Sequence, residues 1–184
     1  MKSSWMCTAV VAAALLGLTG SACAQSMQTL PISGVDAALD VPNAHEMPDP
    51  SLTYKVAFDL GKPSPKIDEV NPGLIRISEY FNTLAKSGIP ADHRKVVVVF
   101  HQGGTDAVLT NAAFRARNDG HDNPNIALLQ KMKKAGIDLR VCGQGVVNRK
   151  LDASAILPEV QIDLWAMTTF TTLQLRGYVR VSGN

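Results

Sequence analysis

Apolar and polar positions alternate through Tyr54-Lys55-Val56-Ala57-Phe58-Asp59-Leu60, the period of a half-buried strand. Leu74, Ile77, Tyr80, Phe81 and Leu84 then recur at spacings of three and four, which predicts a helix with one apolar face, closed by Gly88 and Pro90. Val96 to Phe100 is a continuous apolar, β-branched run, the pattern of a central parallel strand covered on both faces. A short helix is expected over Asp106 to Arg115. A second starts at Asn123-Pro124, read as an N-cap followed by proline at the first helical position; it carries Ile126, Leu128, Leu129, Met132 and Ala135 and stops at Gly136. Ile137 to Cys142 is the next strand, followed by a short helix and a turn at Leu157-Pro158. Val160 to Leu164 is a brief strand, Ala166 to Leu175 a helix, and Tyr178 to Val181 the last strand. Strands and helices alternating in this way predict an α/β fold, a mostly parallel sheet of about five strands with helices on both faces.

The residues before Tyr54 follow other rules. Lys2, an uncharged apolar run from Thr8 to Leu18, and Ala22-Cys23-Ala24 have the order of a signal peptide, with cleavage expected after Ala24. The run is too short for a stable membrane anchor. Gly20 stands where lipobox sequences carry leucine, which argues against a lipid on Cys23. The expected location is the periplasm or the medium. Residues 25–53 form a proline-rich extension with no regular period, broken by Pro31, Pro42, Pro48 and Pro50. It either drapes over the domain at 54–184 or pairs with a neighbouring subunit.

Removal of residues 1–24 leaves 160, enough for one domain with its own core. It also leaves 17 basic against 16 acidic residues, so the charge gives no footprint for nucleic acid or an anionic membrane. Cys7 and Cys23 depart with the leader, and Cys142 remains alone. An odd cysteine in an oxidising compartment is buried, paired with another molecule, or chemically used.

Ligands of open α/β sheets collect beyond the carboxyl ends of the strands. Two loops there carry suitable residues. Gln102, Gly103 and Gly104 follow the second strand, where adjacent glycines either let backbone N–H groups approach an anion or simply make a tight turn. Cys142 ends the third strand, with Gly143, Gln144 and Gly145 opening a helix behind it. That position directs a thiol toward helix N–H groups, which favours reactivity; the competing reading is a small buried hydrophobe. Arg140 shares the sheet face, and Arg149 reaches the thiol if the helix turns back. His101 ends the second strand on the same edge and is a candidate proton partner for Cys142, or a hydrogen-bonded loop histidine. His45, His93, His101 and His121 share no metal-ligand spacing, so no metal is expected, and no cofactor either: the phosphate loop, dinucleotide fingerprint and nucleophile elbow are missing from the sequence. Trp165, Met167 and Phe170 read as core or subunit contact, and Lys131, Lys133 and Lys134 as a solvated helix face.

From Tyr54 onward the chain resembles the DsrE/DsrF-like sulfur-relay family in its exported branch. The likeness rests on Val96-Val97-Val98-Val99-Phe100-His101-Gln102-Gly103 and on Ile137-Asp138-Leu139-Arg140-Val141-Cys142-Gly143-Gln144. It closes with Leu157-Pro158-Glu159-Val160 and Gly177-Tyr178-Val179-Arg180-Val181. The resemblance implies a three-layer, flavodoxin-like α/β/α fold and a homo-oligomer, trimer or hexamer. It also implies that a cysteine after a central strand carries sulfane sulfur as a persulfide and hands it to a thiol-bearing partner protein; Cys142 matches that position. The expected activity is then that of a sulfurtransferase-like persulfide carrier. The alternatives are a non-catalytic oligomeric module that binds a small anion and holds Cys142 as structure, and a redox sensor working through an intersubunit disulfide.

Overall fold

Five parallel strands form the sheet of the computed structural model, which describes residues 29–183. They are β1 (Tyr54–Leu60), β2 (Arg94–Phe100), β3 (Asp138–Cys142), β4 (Gln161–Asp163) and β5 (Val179–Ser182), in the spatial order β4-β3-β2-β1-β5. The signal peptide expected at residues 1–24, with its cleavage after Ala24, lies outside the described residues. β2 has a partner on either side, and Val96 to Phe100 are buried throughout, as the unbroken apolar run requires.

The helices are α1 (Pro72–Lys86), α2 (Asn111–Arg115), α3 (Ile126–Lys134), α4 (Gly143–Asn148) and α5 (Ala166–Leu175). α1 starts where expected from its composition: Pro72 takes the first position and the Asn71 side chain caps the Gly73 N–H at 2.9 Å. Steps from β1 to β2, β3 and β4 all move the same way, so right-handed crossovers place α1 and α3 on one face. There Leu74, Ile77, Phe81, Leu129 and Met132 pack on Val56, Phe58, Val98 and Leu139 in the larger core cluster. The return from β4 to β5 runs back past the rest of the sheet, and the same rule puts α5 on the opposite face. Ten residues at 1.5 Å rise give ~15 Å, against four strand spacings of ~4.8 Å to be crossed. α5 is therefore the helix laid over Ala57, Val97, Val99 and Cys142, which it contacts through Ala166, Phe170 and Leu173.

Two local readings are corrected. Asp106 to Arg115 is not one helix: a 3₁₀ segment spans Gln102–Val108, and α2 begins only after Thr110, whose side chain caps the Ala113 N–H. Asn123 is not the N-cap of α3, which starts at Ile126. Its side chain instead donates to the Ala107 and Leu109 carbonyls at 2.9 and 2.6 Å and accepts the Asn125 N–H. The buried Asn123 amide thereby pairs loop carbonyls that burial would otherwise leave unsatisfied.

The described part of the proline-rich segment drapes over α1. Ile32 is fully buried, and the buried Asn82 side chain accepts the Ile32 N–H and donates to the Ile32 and Val35 carbonyls. Thr83, Lys86 and Lys131 add bonds to Ala38, Ala38 and Ser33.

Candidate functional site at the carboxyl edge of the sheet

The strand order reverses direction at β1, with β2 on one side and β5 on the other, so the carboxyl ends of these strands mark the switch point. Register defines which residues share the face under α5. Ala57 pairs with Val97, Val97 with Asp138, Val99 with Arg140 and Cys142 with Asp163, while Asp59 stands opposite Val99 and Ser182. Paired residues of parallel strands project to the same side, which gathers Asp59, His101, Cys142, Arg140, Asp163 and Arg180 on that face.

Three of these form a charged cluster. His101 donates its Nε2–H to Asp59 Oδ1, and Arg180 donates Nε and a terminal N–H to Asp59 Oδ2, the Nε bond at 3.0 Å. Since an ionised carboxylate only accepts, this arrangement places the histidine proton on Nε2. Phe170 roofs the cluster: its ring meets the His101 ring edge-on at 6.3 Å between centroids and lies under the Arg180 guanidinium at 4.1 Å. Burial alone would push the Asp59 carboxyl up, but the hydrogen bonds and charges of His101 and Arg180 outweigh it and hold the group below the ordinary carboxylate range.

Cys142 sits one strand over. It is 5% exposed and packs with Ala166 and Phe170. Its Sγ accepts the Ala166 N–H at 3.3 Å, the first amide of α5, while Cys142 itself is the N-cap residue of α4. The thiol does meet a helix N–H group, but one from α5 and not from the helix behind it. Beside it, Arg140 bonds Asp138 through Nε (2.9 Å) and a terminal nitrogen (2.6 Å) and approaches Asp163 at 3.5 Å. Burial pulls the guanidinium down, and the two carboxylates more than reverse this and hold it above its ordinary value. A groove of about 210 Å³ runs alongside, lined by Arg140, Asp163, Thr168, Thr169, Leu173 and Arg176.

The glycine loops are occupied by their own backbone. The Gly104 N–H bonds the Gly61 and His101 carbonyls, and a Cβ on Gly104 would overlap the Leu60 carbonyl. Gln102 adopts φ +46° and its carbonyl accepts from Arg149, so Arg149 turns to this loop and to Asp106, not to Cys142. Gly103 packs on Pro63. Gly143 lets β3 pass close to β4, since a Cβ there would lie 2.6 Å from the Asp163 carbonyl oxygen. Gln144 donates to the Leu164 carbonyl at 3.4 Å. The structure thus brings His101, Gln102, Gly103 and Gly104 together at the end of β2, and Cys142, Gly143 and Gln144 at the end of β3. Trp165 and Met167 are exposed, while Phe170 is buried.

Sequence reasoning missed Asp59 and Arg180. A signal was present: Asp59 is an acidic residue near the end of an interior strand, on the opposite face from Val56, Phe58 and Leu60, and such a charge needs partners.

No curated protein matches the chain. Among solved structures, a protein of unknown function from Methanobacterium thermoautotrophicum is similar, with TM-score 0.51 and 15% identity, covering 70% of this chain and 98% of its own. That likeness shows the same fold. Residues 61–181 match the DsrE/DsrF-like family, a span that includes β2, β3, α5 and Cys142. The chain belongs to the DsrE/DsrF-like family.

Proposed function

We propose that this is an exported sulfur-handling protein in which Cys142 accepts sulfane sulfur as a persulfide and passes it to a thiol-bearing partner. Family membership points to a sulfur-relay-related role. The observation that carries the finer reading is the contact at Cys142: the sulfur ends a central strand and receives the leading amide of α5. A sulfur atom that holds negative charge between transfers is stabilised by such an N–H and by the positive end of the helix. The chemistry is thiolate attack on a sulfane sulfur followed by thiol exchange. Export, supported by the leader pattern of residues 1–24, would supply this thiol in a compartment where lone cysteines oxidise readily. The 5% exposure of Cys142 gives the shielding such a carrier needs.

Self-association belongs to the same reading. α5 carries no charged residue, and Leu164, Trp165, Met167, Leu175, Val179 and Val181 expose apolar surface around it. A homo-oligomer that covers this surface would account for them. The same low exposure of Cys142 is what favours a second reading, a non-catalytic small-anion module with a structural thiol.

Intact mass spectrometry of the protein treated with inorganic polysulfide, beside Cys142→Ser, tests the proposal. A gain of one sulfur, reversed by a thiol reductant and missing from the variant, supports it. Reversal separates a persulfide from sulfinic acid, which adds nearly the same mass and resists thiols. An unmodified protein whose Cys142 reacts with an alkylating reagent only after unfolding favours the structural thiol.

A further inference from the structure

Asp59, His101 and Cys142 stand at or next to the carboxyl ends of β1, β2 and β3: Asp59 one residue before the end of β1, His101 one residue past β2, and Cys142 last in β3. The β2–β3 ladder ends at Phe100 and Val141, and His101, still extended, and Cys142 follow them directly, so alternation along the two strands turns both to the same face. The His101 ring meets the Phe170 ring edge-on, and Cys142 belongs to the same buried cluster as Phe170. Asp59, on the strand beyond, accepts the Nε2–H of His101 and thereby leaves Nδ1 as the ring's basic nitrogen.

We infer that Cys142, His101 and Asp59 form a nucleophile, base and carboxylate row, in which His101 Nδ1 takes the thiol proton and Asp59 positions the ring. This rests on the sulfur-handling reading and names how the thiol is activated. Arg180 positions Asp59 in turn, as it binds the second carboxylate oxygen and is itself stacked on Phe170. The logic is that of a nucleophile with an adjacent base oriented by a third group. Gly61 makes the arrangement possible: a Cβ there would lie 2.8 Å from His101 Cε1, so a side chain would drive the ring off Asp59.

The step balances as follows for a polysulfide donor. Cys142 gives its proton to His101, and its sulfur attacks a terminal sulfur of the chain. One S–S bond breaks, one forms to Cys142, and the shortened polysulfide leaves with the electron pair and collects the proton from His101. No net oxidation is required.

The charges facing this row are few. β1 and β5 contribute Asp59 and Arg180, β3 and β4 contribute Asp138, Arg140 and Asp163, and α4 and α5 contribute none. Arg140 is held between Asp138 and Asp163, and Asp59 is shared between His101 and Arg180, so the group left to answer a proton from Cys142 is the imidazole.

The test is the rate at which a small methylthiolating reagent modifies Cys142, measured from acid to alkaline pH in the wild type, His101→Gln and Asp59→Asn. Near about pH 6 the wild type should react about tenfold or more faster than either variant, and the gap should close near about pH 9, where thiols ionise unaided. Equal rates at every pH overturn the row while leaving sulfur handling at Cys142 intact. A thiol that reacts in none of the native proteins, and only after unfolding, sinks both. A second measurement on the unaltered protein guards against misfolded variants: the ¹⁵N resonance of His101 Nδ1 should move when Cys142 is methylthiolated. An unmoved resonance overturns the row.

Discussion

Phe170→Ala probes the arrangement at its centre. Phe170 is 2% exposed and fills the space between α5 and the sheet, against Ala57, Val97, Val99 and Cys142. Truncating a buried phenylalanine costs about 3–5 kcal/mol, the lost transfer energy plus the cavity left behind. The half-exposed Arg180 stacked on the ring adds roughly 0.5–1 kcal/mol of cation–π attraction that also disappears. The sheet contributes Ala57, Val97 and Val99 at this point, small residues that cannot fill the void, so the upper half of the range is expected, about 4 kcal/mol. For a domain of about 10 kcal/mol stability this lowers the urea midpoint by about 40% with little change in slope. Urea unfolding followed by circular dichroism reads it directly. Phe170→Leu, which keeps most of the volume, should cost about 1 kcal/mol, and Gln174→Ala on the exposed side of α5 less than about 0.5. The cavity also opens toward Cys142 Sγ, so native alkylation should accelerate in Phe170→Ala. A loss below about 1 kcal/mol would refute the packing of α5 on which the site depends.

Other consequences follow from single contacts. Gly104→Ala sets a Cβ against the Leu60 carbonyl, which is backbone and cannot swing aside; a loss of about 2–3 kcal/mol is expected in thermal melts, and an unchanged melting temperature would contradict the close approach. Asp59 has its carboxyl lowered in the folded state, so its contribution to stability is complete above the ordinary carboxylate value and is lost as pH falls through the folded one. Below about pH 4 the wild type should therefore lose stability more steeply than Asp59→Asn, and parallel acid profiles would refute the bridge. Asn82→Ala strips three bonds from Ile32 and Val35, leaves buried backbone groups unpaired at about 1–3 kcal/mol, and should speed proteolysis of residues 29–53 before the domain is cut.

The fold was legible because its signals are local. The β-branched run of β2, the 3–4 spacing of α1 and the strand ending at Cys142 each declare their period, and the crossover rule turns their order into a parallel sheet. The small polar elements were harder. The stretch from Asp106 to Arg115 reads as one helix after a glycine loop, but the chain must pass Leu60 at Gly104 and satisfy Asn123, and Gln102 to Arg115 resolves into a 3₁₀ segment and a short helix. The site was half legible. Cys142 and His101 stand out by type and by position at strand ends. Asp59 and Arg180 come from strands 121 residues apart in sequence, and only the placement of β5 beside β1 brings them together. Periodicity marks their face but not their partner. Arg149 shows the converse, since proximity in sequence suggested Cys142 and the fold delivers it to the Gln102 carbonyl.

The most direct measurement of the central claim is sulfur turnover at Cys142. The protein would be loaded with polysulfide, freed of excess donor, and mixed with a thiol acceptor while intact mass is followed over time, with Cys142→Ser alongside. The account predicts a single-sulfur adduct that decays as persulfide appears on the acceptor, with no adduct on the variant. A native protein that never gains sulfur, or an adduct that persists in the presence of thiol, contradicts it.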